Sequence, residues 1–435
     1  MAHAWRRSGR LFVLSTAICA MAALAFSEPT PSPYQMIDGH FSQTVTLLAD
    51  GEVLIAGGGD THASATNIAE LYDPASDSFR PAGSGLMSTP RTYHTATLLR
   101  DGRVLLAGGM NAQGKPLSSA ELFDPKTGKF VPTGGMAYAR YTASATALPD
   151  GRVLIAGGAD TPEGYAGAGK ERAEMQSLDT AELYDPARGR FSPAGKSERV
   201  FDFTSGKFLM RASMNAARRE HTATLLLAGP LKGQVLLAGG IGDKDVPLAS
   251  AELFNPAANT FTPTGAMTVA RTYQTATGLR DGRVLLAGGT DAANQALATA
   301  ELYDQAAGKF ALTAAPMEHG RYRQTATLLN DGSVLLAGGA SDIGVLANAE
   351  IFDPPSGRFR PAALMKDYRI AAGAVVLRNG EVFNAGGYNN RPSYAPGAIA
   401  MGSAAVGFSV LNTAEIYNPA SRQFADTRSL GRPPG

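Results

Sequence analysis

Arg91–Phe130 reads RTYHTATLLRDGRVLLAGGMNAQGKPLSSAELFDPKTGKF, and near-copies of this stretch fill most of the chain. HTATLL, at 94–99, is a short β-rich segment. Asp101-Gly102 follows between two apolar runs, which is a hairpin signal and predicts a type I′ turn, with positive φ at both central residues. RVLLAGG, at 103–109, is a nearly continuous apolar strand, as expected when both faces are buried. Its closing glycines allow close backbone approach and a turn. After a variable polar loop, SSAELFD at 118–124 alternates as a third strand, and Lys129-Phe130-Val131 opens a fourth beyond the PKTG turn. One unit is therefore four antiparallel strands in roughly 50 residues, the size of a propeller blade.

The unit recurs in register along the chain. Double glycines fall at 57–58, 108–109, 157–158, 239–240, 288–289, 338–339 and 386–387. Glu70, Glu121, Glu182, Glu252, Glu301, Glu350 and Glu415 mark the third strands. An aromatic residue precedes a Phe by seven places in each copy, from Tyr72 with Phe79 to Tyr417 with Phe424. Six linkers carry Met-x-x-x-Arg, ending at Arg91, Arg140, Arg218, Arg271, Arg321 and Arg369. The turn is DG in five copies and Asn379-Gly380 in the last. The fourth copy has a longer connection ending at Gly233.

These features resemble the kelch repeat, of the kind found in galactose-oxidase-like bacterial kelch proteins. The second aromatic of a kelch unit is often Trp, whereas here it is Phe throughout, which keeps the packing role and removes an indole N–H donor. The resemblance implies an all-β, seven-bladed propeller over 41–426, with blades starting near 41, 92, 141, 219, 272, 322 and 370. Blade one is expected to close the ring directly on blade seven.

Residues 1–25 read as an export signal: Arg6, Arg7 and Arg10 precede the short apolar run Leu11–Ala25, which ends in Ala-Leu-Ala. The run is shorter than a spanning helix needs, so no stable membrane anchor is expected after cleavage. Cleavage would remove Cys19, the only cysteine, and with it any thiol chemistry. Residues 26–40 read as a Pro-rich lead-in and 427–435 as a tail. Lys+Arg 39 against Asp+Glu 38 leaves no basic stripe, so nucleic acid is not an expected partner. The expectation is a secreted or periplasmic monomer without a cofactor.

Departures from the repeat point to function, because insertions map to loops on a binding face. Unit three carries 159–180 and a second insertion in which Phe201 and Phe208 repeat the paired aromatics, read as an extension of the blade or a replacement for its fourth strand. Unit seven carries 388–413. In an up-down meander these rise on the linker face, and the opposite face is expected to be flat and inert. The six linker arginines read either as a cationic collar for carboxylates or acidic glycans, or as ion pairs between neighbouring segments. Three residues beyond each Arg stand His94, His221, Gln274 and Gln324, with Gln43 in unit one. They read as channel-lining or hydrogen-bonding groups, and two histidines without an evident third ligand make a poor metal site. The Asp or Asn after most double glycines reads as an Asx-turn. In the insertions, Tyr165, Arg172, Tyr388, Asn390, Arg391 and Tyr394 suit protein or sugar contacts.

Three functions follow by analogy with the fold: a binding module for an extracellular or periplasmic protein or glycan, a carbohydrate-active enzyme like the sialic-acid mutarotases, or a structural blade module of a surface assembly. Copper-radical oxidase chemistry needs a Tyr joined to a Cys, and the mature chain would have no Cys. Metal analysis of the purified mature protein is expected to return no stoichiometric copper, and a stoichiometric signal would overturn the argument from the missing cysteine.

Overall fold

The computed structural model describes residues 36, 39–160, 175–202, 207–390 and 408–427. Seven four-stranded antiparallel sheets form a β-propeller. Blade two is typical: Thr95–Leu98, Val104–Ala107, Ala120–Asp124 and Lys129–Pro132, paired in sequence order. Second strands such as VLLA at 104–107 are buried at all four positions, as their unbroken apolar character demands. The first strands pack against one another around the axis, and Gly373–Val376 against Thr44–Leu47 closes the ring.

The aromatics seven apart face each other across the third and fourth strands. Phe123 pairs with Phe130 in register, with ring centroids 4.8 Å apart and tilted. The other pairs repeat this geometry, from Tyr72–Phe79 at 4.9 Å to Tyr417–Phe424 at 4.9 Å. Such a contact is worth about 0.5–1.5 kcal/mol beyond area burial. Each apolar cluster spans two blades. Leu105, Ala107 and Leu122 of blade two pack with Val153, Ile155 and Tyr184 of blade three, so the core lies between blades.

The DG turns differ from the expected type. Only the glycine has positive φ, for example 89° at Gly102. Leu99 N–H donates to Arg103 O at 2.8 Å and Gly102 N–H to Leu99 O at 3.0 Å. The loop is therefore three residues long, a turn closed by a left-handed Gly bulge. Asp101 remains outside the left-handed region because its carboxylate accepts from Arg103 N–H at 3.0 Å.

The second insertion of unit three forms its own two-stranded sheet, Ser197–Asp202 with Lys207–Ala212, with Phe201 paired to Phe208. The blade keeps its fourth strand, Arg190–Pro193. The hairpin departs between Ala194, whose N–H donates to Ala181 O, and Ser213, which bridges Thr180. The propeller's hydrogen bonding also starts before residue 41: Met36 N–H donates to Asn412 O and His40 N–H to Leu411 O.

The linker arginines bind this frame together. Arg271 is fully buried; Nη2 donates to Glu301 Oε1 at 2.8 Å, and Nη1 donates to Gly288 O at 2.9 Å and Thr299 O at 3.0 Å. Its own carbonyl accepts from Gly240 N–H of the preceding blade at 2.9 Å. The same set recurs at the other five arginines, and His40 takes the seventh place, its carbonyl accepting from Gly387 N–H at 2.8 Å. Only glycine fits the first place of the pair: φ at Gly288 is 67°, and a Cβ there would lie 2.3 Å from Arg321 O.

Removing one partner of such a pair leaves an uncompensated buried charge, at a cost of about 3–5 kcal/mol. Arg271→Met is therefore expected to lower the denaturant midpoint sharply, and Arg271→Met with Glu301→Leu to recover much of the loss. Equal stability of the single variant and wild type in urea titration would contradict this.

Candidate functional site: the axial mouth of the linker face

Because the blades are up-down meanders, linkers and second-to-third loops share one face. Isolated bridges tie them together, Thr92 to Met110 and Met110 to Pro116 in blade two. Two residues beyond each linker Arg, or beyond His40, stand Ser42, Tyr93, Thr142, Glu220, Tyr273, Arg323 and Ala371. All seven adopt left-handed backbone, with φ of 50–58°. Their peptides form a closed circle in which each N–H donates to the carbonyl of the preceding member. The bonds run from Thr142 N–H to Tyr93 O at 3.1 Å, around to Ser42 N–H to Ala371 O at 3.2 Å. The circle precedes the seven innermost strands, so it surrounds the axis. Its side chains are half-buried and rim the mouth.

Two of these side chains carry charge. Arg323 Nη2 donates to Glu220 Oε1 at 3.0 Å, from blade six to blade four. The guanidinium lies 4.4 Å from the ring centroid of Tyr273 and 6.0 Å from that of Tyr93 in blade two, so it reaches across the opening. Burial alone would lower the Arg323 pKa. The field of Glu220, with Tyr93, Tyr273 and Tyr388, outweighs it and holds the group above its ordinary value. Burial raises the Glu220 carboxyl above the usual carboxylate range, against the pull of Arg323 and Arg219.

A second tier surrounds the mouth. Tyr141 and Tyr322 lie 6.5 Å and 6.3 Å from Tyr93 and Tyr273. Phe41 meets Tyr388 edge-on at 5.4 Å. Arg219 Nη1 donates to Ser177 Oγ at 2.7 Å and its Nη2 pairs with Asp245, fixing the root of the first unit-three insertion to blade four.

The sequence-derived residues divide into three groups. The six linker arginines do not form an open collar: each is 0–1% exposed and paired with its strand Glu, because the guanidinium fork matches the carboxylate and carbonyls beneath it. His94, His221, Gln274 and Gln324 are buried and bond to the preceding blade: His94 Nε2 with Thr44 Oγ1 at 3.1 Å, His221 Nε2 with Ser144 Oγ at 2.9 Å, and Gln274 and Gln324 to Ala238 O and Ala287 O at 2.9 Å. Of the insertion residues, Tyr388 lies at the rim and pairs with Val410, and Asn390 pairs in register with Phe408. Tyr165, Arg172, Arg391 and Tyr394 lie outside the described residues. Asp60, Asn111 and Asp291 open Asx-turns; Asp60 Oδ1 accepts from His62 N–H at 2.8 Å. On the opposite face, a groove of about 320 Å³ between blades five and six is lined by Arg280, Asp281, Asp331 and Arg360, so that face is not flat.

Tyr93, Glu220, Tyr273 and Arg323 had escaped the sequence reading. Their signal was a column that varies strongly between a recurring Arg, replaced by His40 in unit one, and a recurring His, Gln or Ala within the repeat.

The Kelch motif model matches residues 90–137, which span blade two and its flanking linkers. The chain is a kelch-repeat propeller. No curated protein matches this kelch chain by sequence. Among solved structures it is similar to a fungal alcohol oxidase of the AA5 family in complex with copper, at 16% identity and TM-score 0.57 over 81% of this chain and 71% of that one. At that identity the likeness concerns the fold alone. The residues of this kelch mouth do not fit a copper centre: His94 and His221 are bonded to neighbouring blades, and among the described residues no group of three or more His, Cys, Asp or Glu is placed to hold a metal ion.

Burial, with the Arg91 and Arg218 charges, lowers the pKa of His94 and His221 to about 3. Between the unfolded value near 6.5 and about 3 the unfolded chain binds more protons, so stability falls as pH drops through this window. His94→Gln, which installs the side chain found in blades five and six, is expected to flatten the pH dependence of Tm between pH 6 and 4 by roughly the share of one histidine. Resonances assigned to the His94 and His221 imidazoles that titrate near pH 6.5 would refute the assignment.

Proposed function

We propose that this chain is an exported binding module that takes a glycan, or the polar surface of a protein, at the axial mouth of its linker face. The observation that carries the reading is the circle of seven mouth positions. Every other feature of the linker repeats for blade construction, while this column places Tyr93, Tyr273, Glu220 and Arg323 around one opening. Tyrosines with an apolar body and a polar tip, beside a partly open ion pair, supply directional hydrogen bonds and contact area together. The roots of the first unit-three and the unit-seven insertions stand at the same rim, at Ser177 and Tyr388. Export is supported by the basic, apolar and small-residue order of residues 1–25.

A carbohydrate-active enzyme is a second reading, favoured by one observation. Burial raises the Glu220 carboxyl above its ordinary value beside Arg323, and a positioned carboxyl at a polar opening is a group that proton transfer on a sugar can use. Turnover of a saccharide lost in Glu220→Gln would select it.

A glycan and extracellular-protein binding screen tests the main reading. Arg323→Ala and Tyr273→Ala are each expected to weaken a discovered ligand about tenfold or more, and deletion of 161–179 or 390–411 to alter its affinity. Unchanged binding in all four variants would sink the proposal.

A further inference from the structure

The charge pattern of the mouth selects among glycans, given the binding reading above. Of the seven mouth residues only Glu220 and Arg323 ionise near neutrality, and they neutralise each other at 3.0 Å. The nearest further charge, Arg219, is itself paired with Asp245 and bonded to Ser177. Among the described residues the mouth circle therefore carries no net charge. An anionic ligand reaching Arg323 would meet Glu220 beside it, and a cationic ligand reaching Glu220 would meet Arg323. Either must separate a half-buried pair, leaving one charge poorly compensated.

An uncharged polyol faces no such conflict. A guanidinium has five N–H donors; Arg323 directs Nη2 to the carboxylate and also bonds Tyr273, which leaves further N–H groups of the fork for a ligand. An ionised carboxylate has about four lone-pair sites, and Oε1 of Glu220 accepts the Arg323 bond. One hydroxyl can donate to Glu220 while its neighbour accepts from Arg323, with the pair intact. The adjacent hydroxyls of a sugar ring have that donor–acceptor order. Tyr273 and Tyr93, at 4.4 Å and 6.0 Å from the guanidinium, hold the fork in place across the opening and present aromatic surface beside it.

We propose that Glu220 and Arg323 form a charge-neutral diol clamp, so that the mouth takes an uncharged saccharide through two adjacent hydroxyls and discriminates against sugar acids and amino sugars.

The test is calorimetric titration of the mature full chain with matched probes: gluco-, manno- and galacto-oligosaccharides, oligogalacturonate, and chitosan oligosaccharides. At least one neutral series is expected to bind tenfold or more tightly than its charged counterpart, with little change between low and high salt. Glu220→Gln leaves Arg323 unpaired and is expected to shift the preference at least tenfold toward oligogalacturonate. Arg323→Gln is expected to shift it toward chitosan oligosaccharides. These opposite shifts are readouts that a merely structural pair would not give, and a retained cooperative thermal transition confirms that both variants fold. A wild-type preference for either charged probe, or equal loss for all sugars in both variants, overturns the clamp while leaving a glycan site. Absence of binding by every saccharide to wild type overturns the glycan reading itself.

Discussion

The structure depends on one repeated interaction: a linker arginine buried between two blades. Its side chain serves the blade it leads into, through the strand Glu and the first glycine's carbonyl. Its backbone carbonyl serves the blade before, through the second glycine's N–H. A buried ion pair is weak evidence for stability taken alone, because desolvation offsets the Coulombic gain. Here the carboxylate is also bonded on its other oxygen. Glu301 Oε2 accepts from Thr268 N–H at 2.7 Å, so both carboxylate oxygens and both terminal guanidinium nitrogens are engaged and only Arg271 Nε is left without a partner. The double glycine follows from this demand. It is the only sequence that lets the linker backbone approach closely enough to be held from both sides.

That constraint also explains the mouth. The Arg side chain is buried, the residue three places on bonds back to the preceding blade in five of the seven blades, and each mouth peptide bonds to its neighbour in the circle, so the two intervening residues turn sharply toward the axis. The second of them enters the left-handed region in all seven blades. For Thr142, a β-branched residue, that conformation is unusual. Its persistence across six residue types at seven positions shows that the backbone bonds of the circle, not the side chain, dictate it. The blade frame thus fixes backbone and aim at each mouth position while leaving the side chain free to vary.

Most of the fold was legible because it is written seven times. In-register glycines, paired aromatics and strand glutamates give strand number, order and ring closure with little ambiguity. Local geometry was less legible. The DG pair announced a hairpin, but whether Asp or only Gly takes positive φ depends on loop length, and Asp101 stays in ordinary backbone because its carboxylate caps Arg103 N–H. The end of the Pro-rich lead-in was obscure for a related reason. Met36 and His40 keep the linker spacing with His in place of Arg, which hides the motif, and their backbones supply the bonds that a linker supplies elsewhere.

The site was the least legible part, and the cause is the same repetition. Searching for recurring polar residues finds what builds the blade, so Arg91 and His94 drew attention as candidates and proved to be fasteners. A ligand without sevenfold symmetry requires the opposite pattern: positions equivalent in backbone and unlike in side chain. Tyr93, Glu220, Tyr273 and Arg323 meet that condition, and only the circle of peptide hydrogen bonds reveals that residues so far apart in sequence share one opening. In a closed ring of identical frames, chemistry enters where symmetry is broken at a fixed geometry, and the ion pair from blade four to blade six is such a break.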